Sequence, residues 1–164
     1  MVRIAAVVDA EAIARVQVAS WHAAYHGIIA EPVLARVTVE ARTPRWRSNL
    51  AERAPDRRTT VFETEGEVVG FATSGPSRDE GASAVGEVWA LYAHPAAWGT
   101  GVGRALLSDA LAFFVPKRYD AVTLWVLRGN ARAIRFYEAA GFALDGATKR
   151  EGDLDELRMR RALP

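Results

Sequence analysis

Leu91-Tyr92-Ala93-His94-Pro95-Ala96-Ala97-Trp98-Gly99-Thr100-Gly101-Val102-Gly103-Arg104 is the stretch on which the reading of this chain turns. A strand-like run from Gly86 to Ala93 leads into it and ends at Pro95. Beyond it, Leu106, Leu107, Ala110, Leu111 and Phe114 recur at helical spacing until Pro116 stops the pattern. A strand therefore passes through a glycine-rich turn into a helix. The first amides of a helix lack intrahelical partners and lie at the positive end of its dipole. Glycines let an anion reach those amides with no Cβ in the way. The ligand group expected here is a phosphate or pyrophosphate. It is not a dinucleotide fingerprint: the sixth position is Arg104 counted from Gly99 and Leu106 counted from Gly101, where that motif needs glycine. A Walker loop would need Gly-Lys-Ser/Thr, which the chain lacks. A turn that only joins strand to helix fits the same residues.

Upstream, Val2 to Val8 suits a strand. Asp9 is placed to cap a helix that carries Ile13, Val16 and Ser20 on one face and Trp21 near its end. After Gly27, a second helical region runs from about Glu31 to Glu52, with a break expected near Pro44. Thr59–Glu65 and Val68–Ser74 read as a hairpin through Gly66, followed by a polar loop from Gly75 to Gly81. Downstream, the nearly all-apolar Val122–Leu127 suits a central strand covered on both faces. Asn130 and Gly141 bracket a helix as N-cap and C′ residue, and Phe142–Thr148 and Leu154–Leu163 close the chain as strands. The predicted order is β-α-α-β-β-β-α-β-α-β-β, a mixed α/β (α+β) sheet with helices on its faces.

The 164 residues fit one domain, 1–164, with 1–58 as a helical front part and 59–164 as the core. Half the residues are hydrophobic and a quarter charged, and the net charge is +1, so no global field favours nucleic acid or membrane. Cysteine is absent, which excludes disulfides, thiolate zinc sites and a cysteine nucleophile, and suits a cytoplasmic setting. Arg3, Asp9, Glu11 and Arg15 interrupt any signal-peptide pattern, and no run of about 18 apolar residues predicts a membrane span. His22 and His26 have i,i+4 spacing but no evident third ligand, so no metal is expected.

The glycine stretch resembles motif A of the GCN5-related N-acetyltransferase family, Gln/Arg-x-x-Gly-x-Gly/Ala, with Gly101 and Gly103 at the two small positions. Trp98 stands where that family has Gln or Arg. About thirty residues on, Asn130, Ala133, Phe136, Tyr137, Gly141 and Phe142 match the family's motif B, N-x-x-A-x-x-F-Y-x-x-x-G-F. The pattern spans about Val68 to Leu163; the front third matches less specifically.

The resemblance implies a mostly antiparallel sheet of about six or seven strands splayed near its middle. It implies acetyl-CoA as acyl donor, no metal, and an amine or peptide amine as acceptor. The loop amides from Trp98, Gly99, Thr100, Gly101, Val102, Gly103 and Arg104 would bind the pyrophosphate. Leu91, Tyr92 and Ala93 would pair with the pantetheine arm as an added strand does. Asn130, Ala133 and Phe136 would complete the coenzyme wall. Arg104, Arg128 or Arg132 would replace the side chain missing at Trp98. Homodimers are common in that family.

Acyl transfer to an amine needs the amine deprotonated, a donor for the developing oxyanion and a proton for the leaving thiolate. Glu87, four residues before Leu91, is the candidate base, and shares a strand face with Trp89 and Leu91 unless a bulge intervenes. His94 is the alternative base, although its loop position suits a cap. Tyr137 is the candidate acid beside the coenzyme sulfur, and an amide near Ala93 the oxyanion donor. Trp21, Tyr25 and Trp89 are candidates for an acceptor wall by cation–π attraction. A non-catalytic acyl-CoA sensor and a mononucleotide-binding protein remain open as alternatives.

Overall fold

A computed structural model describes residues 1–52 and 54–164. Seven strands, β1 (Val2–Ile4), β2 (Arg58–Thr64), β3 (Glu67–Pro76), β4 (Val85–Ala93), β5 (Ala121–Leu127), β6 (Ala143–Glu151) and β7 (Leu154–Ala162), form one sheet in the order β1-β2-β3-β4-β5-β7-β6. Every neighbouring pair is antiparallel except β4 and β5. A parallel pair needs a crossover, and α4 (Val102–Phe114) supplies it. The other helices are α1 (Ala10–Tyr25), α2 (Glu31–Leu34), α3 (Val39–Ala51) and α5 (Ala131–Ala139).

The helices cover both faces because the strands are apolar on both. On one face Ile13, Ala14 and Val16 of α1 and Trp46 of α3 pack on Val61 and Phe71. On the other, Leu107, Ala110 and Phe114 of α4 and Tyr137 of α5 pack on Val88, Val122, Leu124 and Met159. The near-continuous apolar run of β5 is thus explained: Val122, Leu124 and Val126 serve one core while Leu127 joins Tyr25, Ile29 and Leu34 in another.

Four local expectations change. The second helical region breaks at residues 35–38 rather than at Pro44, and Thr38 caps α3 by accepting from the Ala41 amide at 3.2 Å. Pro44 is tolerated inside α3 because it is exposed and the carbonyl it leaves unpaired belongs to exposed Glu40. The first strand ends at Ile4, before a 3-10 turn at Val7–Asp9. Asp9 makes no side-chain cap bond to α1; its carboxylate accepts from the Ala6 amide at 2.7 Å and from Arg3 at 2.8 and 2.9 Å, which holds its pKa below the usual carboxylate value. Finally, β3 runs through Gly75 to Pro76 instead of ending in a loop, with the Trp89 ring lying over Gly75 where a Cβ would come within 2.7 Å.

The feature that positions everything else is where β4 leaves β5. They share three rungs, Val85–Ala121, Gly86–Val122 and Glu87–Thr123, and then separate. The other edges stay paired, β4 with β3 and β5 with β7. At the fork, Gly86 passes under the fully buried Phe114, where an added Cβ would sit 2.5 Å from the ring. Overpacking there strains either the ring or the rungs. Gly86→Ala is expected to lower stability by about 1–3 kcal/mol, with part of the loss recovered in the Gly86→Ala/Phe114→Leu double variant. Urea unfolding of the four-member cycle measures this, and additive effects would contradict it.

Candidate active site

The fork opens into a cleft of about 730 Å³. Its walls are β4 from Val88 to Ala93, β5 from Leu124 to Val126, the turn before α4, and one face each of α4 and α5. Between the strands, backbone groups that would have formed rungs face the cleft instead. Buried unpaired donors and acceptors cost about 1–3 kcal/mol each, so the edges call for an extended polar partner or water.

The turn is built for an anion. Gly99 and Gly101 have φ of +80° and +92°, and Gly101 is the residue that starts α4. The first intrahelical bond runs from the Ala105 amide to the Gly101 carbonyl at 3.0 Å. The amides of Gly101, Val102, Gly103 and Arg104 precede it and have no backbone partner among the described residues. Gly103 has a different reason: a Cβ there would meet the Phe136 ring at 3.4 Å, so glycine lets α4 approach α5.

Of the residues singled out from the sequence, Leu91, Tyr92, Ala93, Trp98, Gly99 and Gly101 line the cleft. So do Gly103, Arg104, Asn130, Ala133, Phe136 and Tyr137, and on the other side Tyr25 and Trp89. Thr100, Val102, Trp21 and Glu87 lie outside the wall. Val102 is buried beneath β3, and the Thr100 hydroxyl donates to the Ala97 carbonyl at 2.7 Å. Asn130 accepts from the Ala133 amide at 3.2 Å, which orients the start of α5. His94 accepts from the Ala96 amide through Nδ1 at 3.3 Å, a capping contact.

Trp98 does not leave a gap where a Gln or Arg is expected. Its indole donates to the Ala93 carbonyl at 2.8 Å, and the Arg132 guanidinium stacks 3.5 Å from its ring centroid. Arg132 lines the cleft and has no carboxylate partner among the described residues. Burial lowers its pKa, as expected of a cation with no bound anion. Arg104 also lines the cleft; Arg128 is tied to Asp155 at 2.8 Å and is not in the wall.

Tyr137 is buried in the α5 face between Phe136 and Phe142. Burial drives its pKa up, Tyr92 adds to the rise, and nearby Arg132 opposes it. Its hydroxyl therefore stays protonated through neutral pH.

Glu87 sits on the opposite face, 1% exposed, and accepts from the Arg78 amide at 2.8 Å and from the Arg78 guanidinium. A bulge intervenes along this strand: Ser74 pairs with Val88 and Thr73 with Ala90, leaving Trp89 as the extra residue. Trp89 stays with Glu87, its ring 5.0 Å below Arg78 and its indole bonded to the Pro76 carbonyl. Leu91 turns to the α4 side, while Ala90 and Tyr92 join the α1 side. Glu87 and Leu91 thus do not share a face. No group of three His, Cys, Asp or Glu residues among those described is arranged to hold a metal.

Residues 17–142 match the family model described as the acetyltransferase (GNAT) family. The uncharacterized N-acetyltransferase YuaI of Bacillus subtilis is 33% identical over 138 residues, covering 84% of this chain and 77% of that protein. A mycothiol acetyltransferase of Acidothermus cellulolyticus is 38% identical over 93 residues, 50% of this chain but 28% of that longer protein. The fold is also that of the PaiA N-acetyltransferase of Thermoplasma acidophilum, solved in complex with coenzyme A. The TM-score is 0.76 over 99% of this chain and 98% of that one, at 22% identity.

Proposed function

The chain belongs to the acetyltransferase (GNAT) family, and from that premise we propose that it moves an acetyl group from acetyl-CoA onto a primary amine by direct attack in the cleft between β4 and β5. The observation that carries this reading is the continuity of the cleft. Of the four unpartnered amides at the start of α4, those of Gly101, Gly103 and Arg104 belong to residues of the cleft wall, and two open strand edges and the Tyr137 phenol border the same space. A pyrophosphate suits the amides, an amide-bearing pantetheine arm suits the open edge at Leu91–Ala93, and the thioester would then lie deep in the fork. The relative solved with coenzyme A has the same fold and supports the same donor.

Arg132 takes the part that the missing Gln or Arg plays elsewhere. Its stack on Trp98 fixes a guanidinium beside the glycine turn before any ligand arrives. A charge-assisted bond to phosphate is worth roughly 1.5–3 kcal/mol.

An amine with pKa near 10.4 costs about 4.6 kcal/mol to deprotonate at pH 7, so the acceptor must give up its proton as it enters. Glu87 lies on the acceptor face beside Trp89 and takes that proton, directly or through water, once Arg78 has turned away from it. At the other face the Tyr137 hydroxyl donates to the departing sulfur. Because burial raises its pKa, it serves first as a hydrogen-bond donor, and full proton transfer needs the developing charge on sulfur. An amide on the open edge of β4 near Ala93 stabilises the oxyanion.

Incubation with acetyl-CoA and an amine panel is expected to release free coenzyme A thiol. Tight coenzyme binding with no release for any amine would leave a non-catalytic acyl-CoA sensor, the second reading. Arg132→Ala is expected to weaken coenzyme binding about 10–100-fold by calorimetry; unchanged affinity would return Arg132 to surface packing. Tyr137→Phe is expected to lower kcat by about 10²-fold or more with little change in coenzyme affinity. Glu87→Gln is expected to lower kcat/KM by about 10²-fold or more with coenzyme affinity kept, whereas unchanged turnover would confine Glu87 to anchoring Arg78.

A further inference from the structure

Beside the cleft, on its α1 side, hydrogen-bond donors cluster with few acceptors among the described residues. Trp21 and Tyr25 lie one turn apart on α1, their rings 5.0 Å apart edge to face. The Tyr25 hydroxyl is 3.5 Å from that of Tyr92 on β4, and both residues line the cleft. The Trp21 indole nitrogen is buried beside Tyr92 and makes no hydrogen bond of acceptable geometry. Above Trp21, 5.3 Å from its ring centroid, lies the guanidinium of Arg42 from α3.

Several arginines elsewhere in the fold are neutralised by carboxylates. Arg57 is paired with Glu52, Arg78 with Glu87, and Arg158 with Asp79 and Asp145. Arg42 has no carboxylate partner among the described residues; burial lowers its pKa, neighbouring Arg45 lowers it further, and only the Tyr92 phenol opposes them. Burial raises the pKa of both Tyr25 and Tyr92, so both hydroxyls keep their protons. One phenol can donate to the other, which still leaves a guanidinium and one O–H without an acceptor among the described residues, and an indole N–H whose nearest oxygen, that of Tyr92, lies outside hydrogen-bonding geometry. A buried N–H without a partner is costly, and a half-desolvated cation without an anion more so. The missing component is an anion. Glu156, the carboxylate close to both phenols, is held by Lys149 at 3.4 Å and does not supply it. Arg42 presents a planar fork of N–H donors, which the two oxygens of a carboxylate can meet together.

We propose that the acceptor is a primary amine that also carries a carboxylate, received by Arg42 together with the Tyr25 and Tyr92 hydroxyls and the Trp21 indole. The inference rests on the transferase reading for its amine and on the donor cluster for its carboxylate. Pairing the carboxylate there leaves the amine end of the molecule free to extend along Tyr92 toward the fork.

Two measurements separate the two premises. In the first, acetate and acetamide are titrated into the coenzyme-free protein while the indole N–H resonance of Trp21, assigned with a Trp21→Phe variant, is followed by NMR. Acetate is expected to shift it saturably and acetamide not at all, with the response lost in Arg42→Met and partly kept in Arg42→Lys. Equal responses, or none to acetate, would overturn the carboxylate site. In the second, L-amino acids and their α-amides compete as acceptors. A preference of at least about tenfold in kcat/KM for the acids is expected to vanish in Arg42→Met, with KM for acetyl-CoA unchanged. Turnover without that preference would overturn the inference and leave the transferase standing. Saturable acetate binding with no transfer to any amine would keep the carboxylate site and remove the transferase.

Discussion

The structure depends on a pair of strands that stop pairing. Parallel neighbours normally continue their rungs to the end of the shorter strand; here β4 and β5 part after Glu87 and Thr123 although each runs several residues further. Each unmade rung leaves backbone groups that must find another partner. The fold maintains that state by keeping both strands fully engaged on their outer edges, with β3 and with β7. Two packing details sharpen the fork: Gly86 lets Phe114 press onto the last rungs, and the bulge at Trp89 twists β4 away from its neighbour. The cleft is therefore a product of sheet geometry rather than of loops laid over a finished sheet.

Charge is distributed around the fork according to what each side must hold. On the α4–α5 side, backbone amides and two arginines offer positive potential, and neither arginine has a carboxylate partner among the described residues. On the opposite side the loop after β3 is pinned across the strands. Arg78 binds Glu87 on β4, while Asp79 accepts from the Trp125 indole on β5 at 3.2 Å and from Arg158 on β7 at 3.0 Å. That loop thus spans the strands at the base of the fork. In the proposed mechanism an amine that reaches Glu87 competes with Arg78 for it, which would couple its entry to movement of this loop.

Much of the fold was legible because its signals are short. Asn130 and Gly141 delimit α5 through contacts within four residues, and the alternation in β7 is likewise local. The glycine turn could be read for the same reason: positive φ at Gly99 and Gly101 is a property of residues that lack a Cβ. Misjudged boundaries came from competition between local signals. Pro44 looked like a helix breaker, but Thr38 already supplied the cap that starts α3, and solvent absorbs the carbonyl that proline leaves free. Asp9 looked like a cap for α1, yet Arg3 and the Ala6 amide claim its oxygens.

By itself the sequence determined the order of elements, the anion-ready turn and the two motifs that identify the family, since each is written in residues a few positions apart. Only the tertiary structure decided which charged groups meet. Arg132 reaches Trp98 across 34 positions, Tyr25 reaches Tyr92 across 67, and Arg42 comes to rest on Trp21 from a separate helix. Those meetings depend on strand order, on a one-residue bulge that turns Leu91 to the far face, and on helix packing. Spacing along a chain carries no record of any of them, because a side chain finds its partner through the three-dimensional path of everything in between.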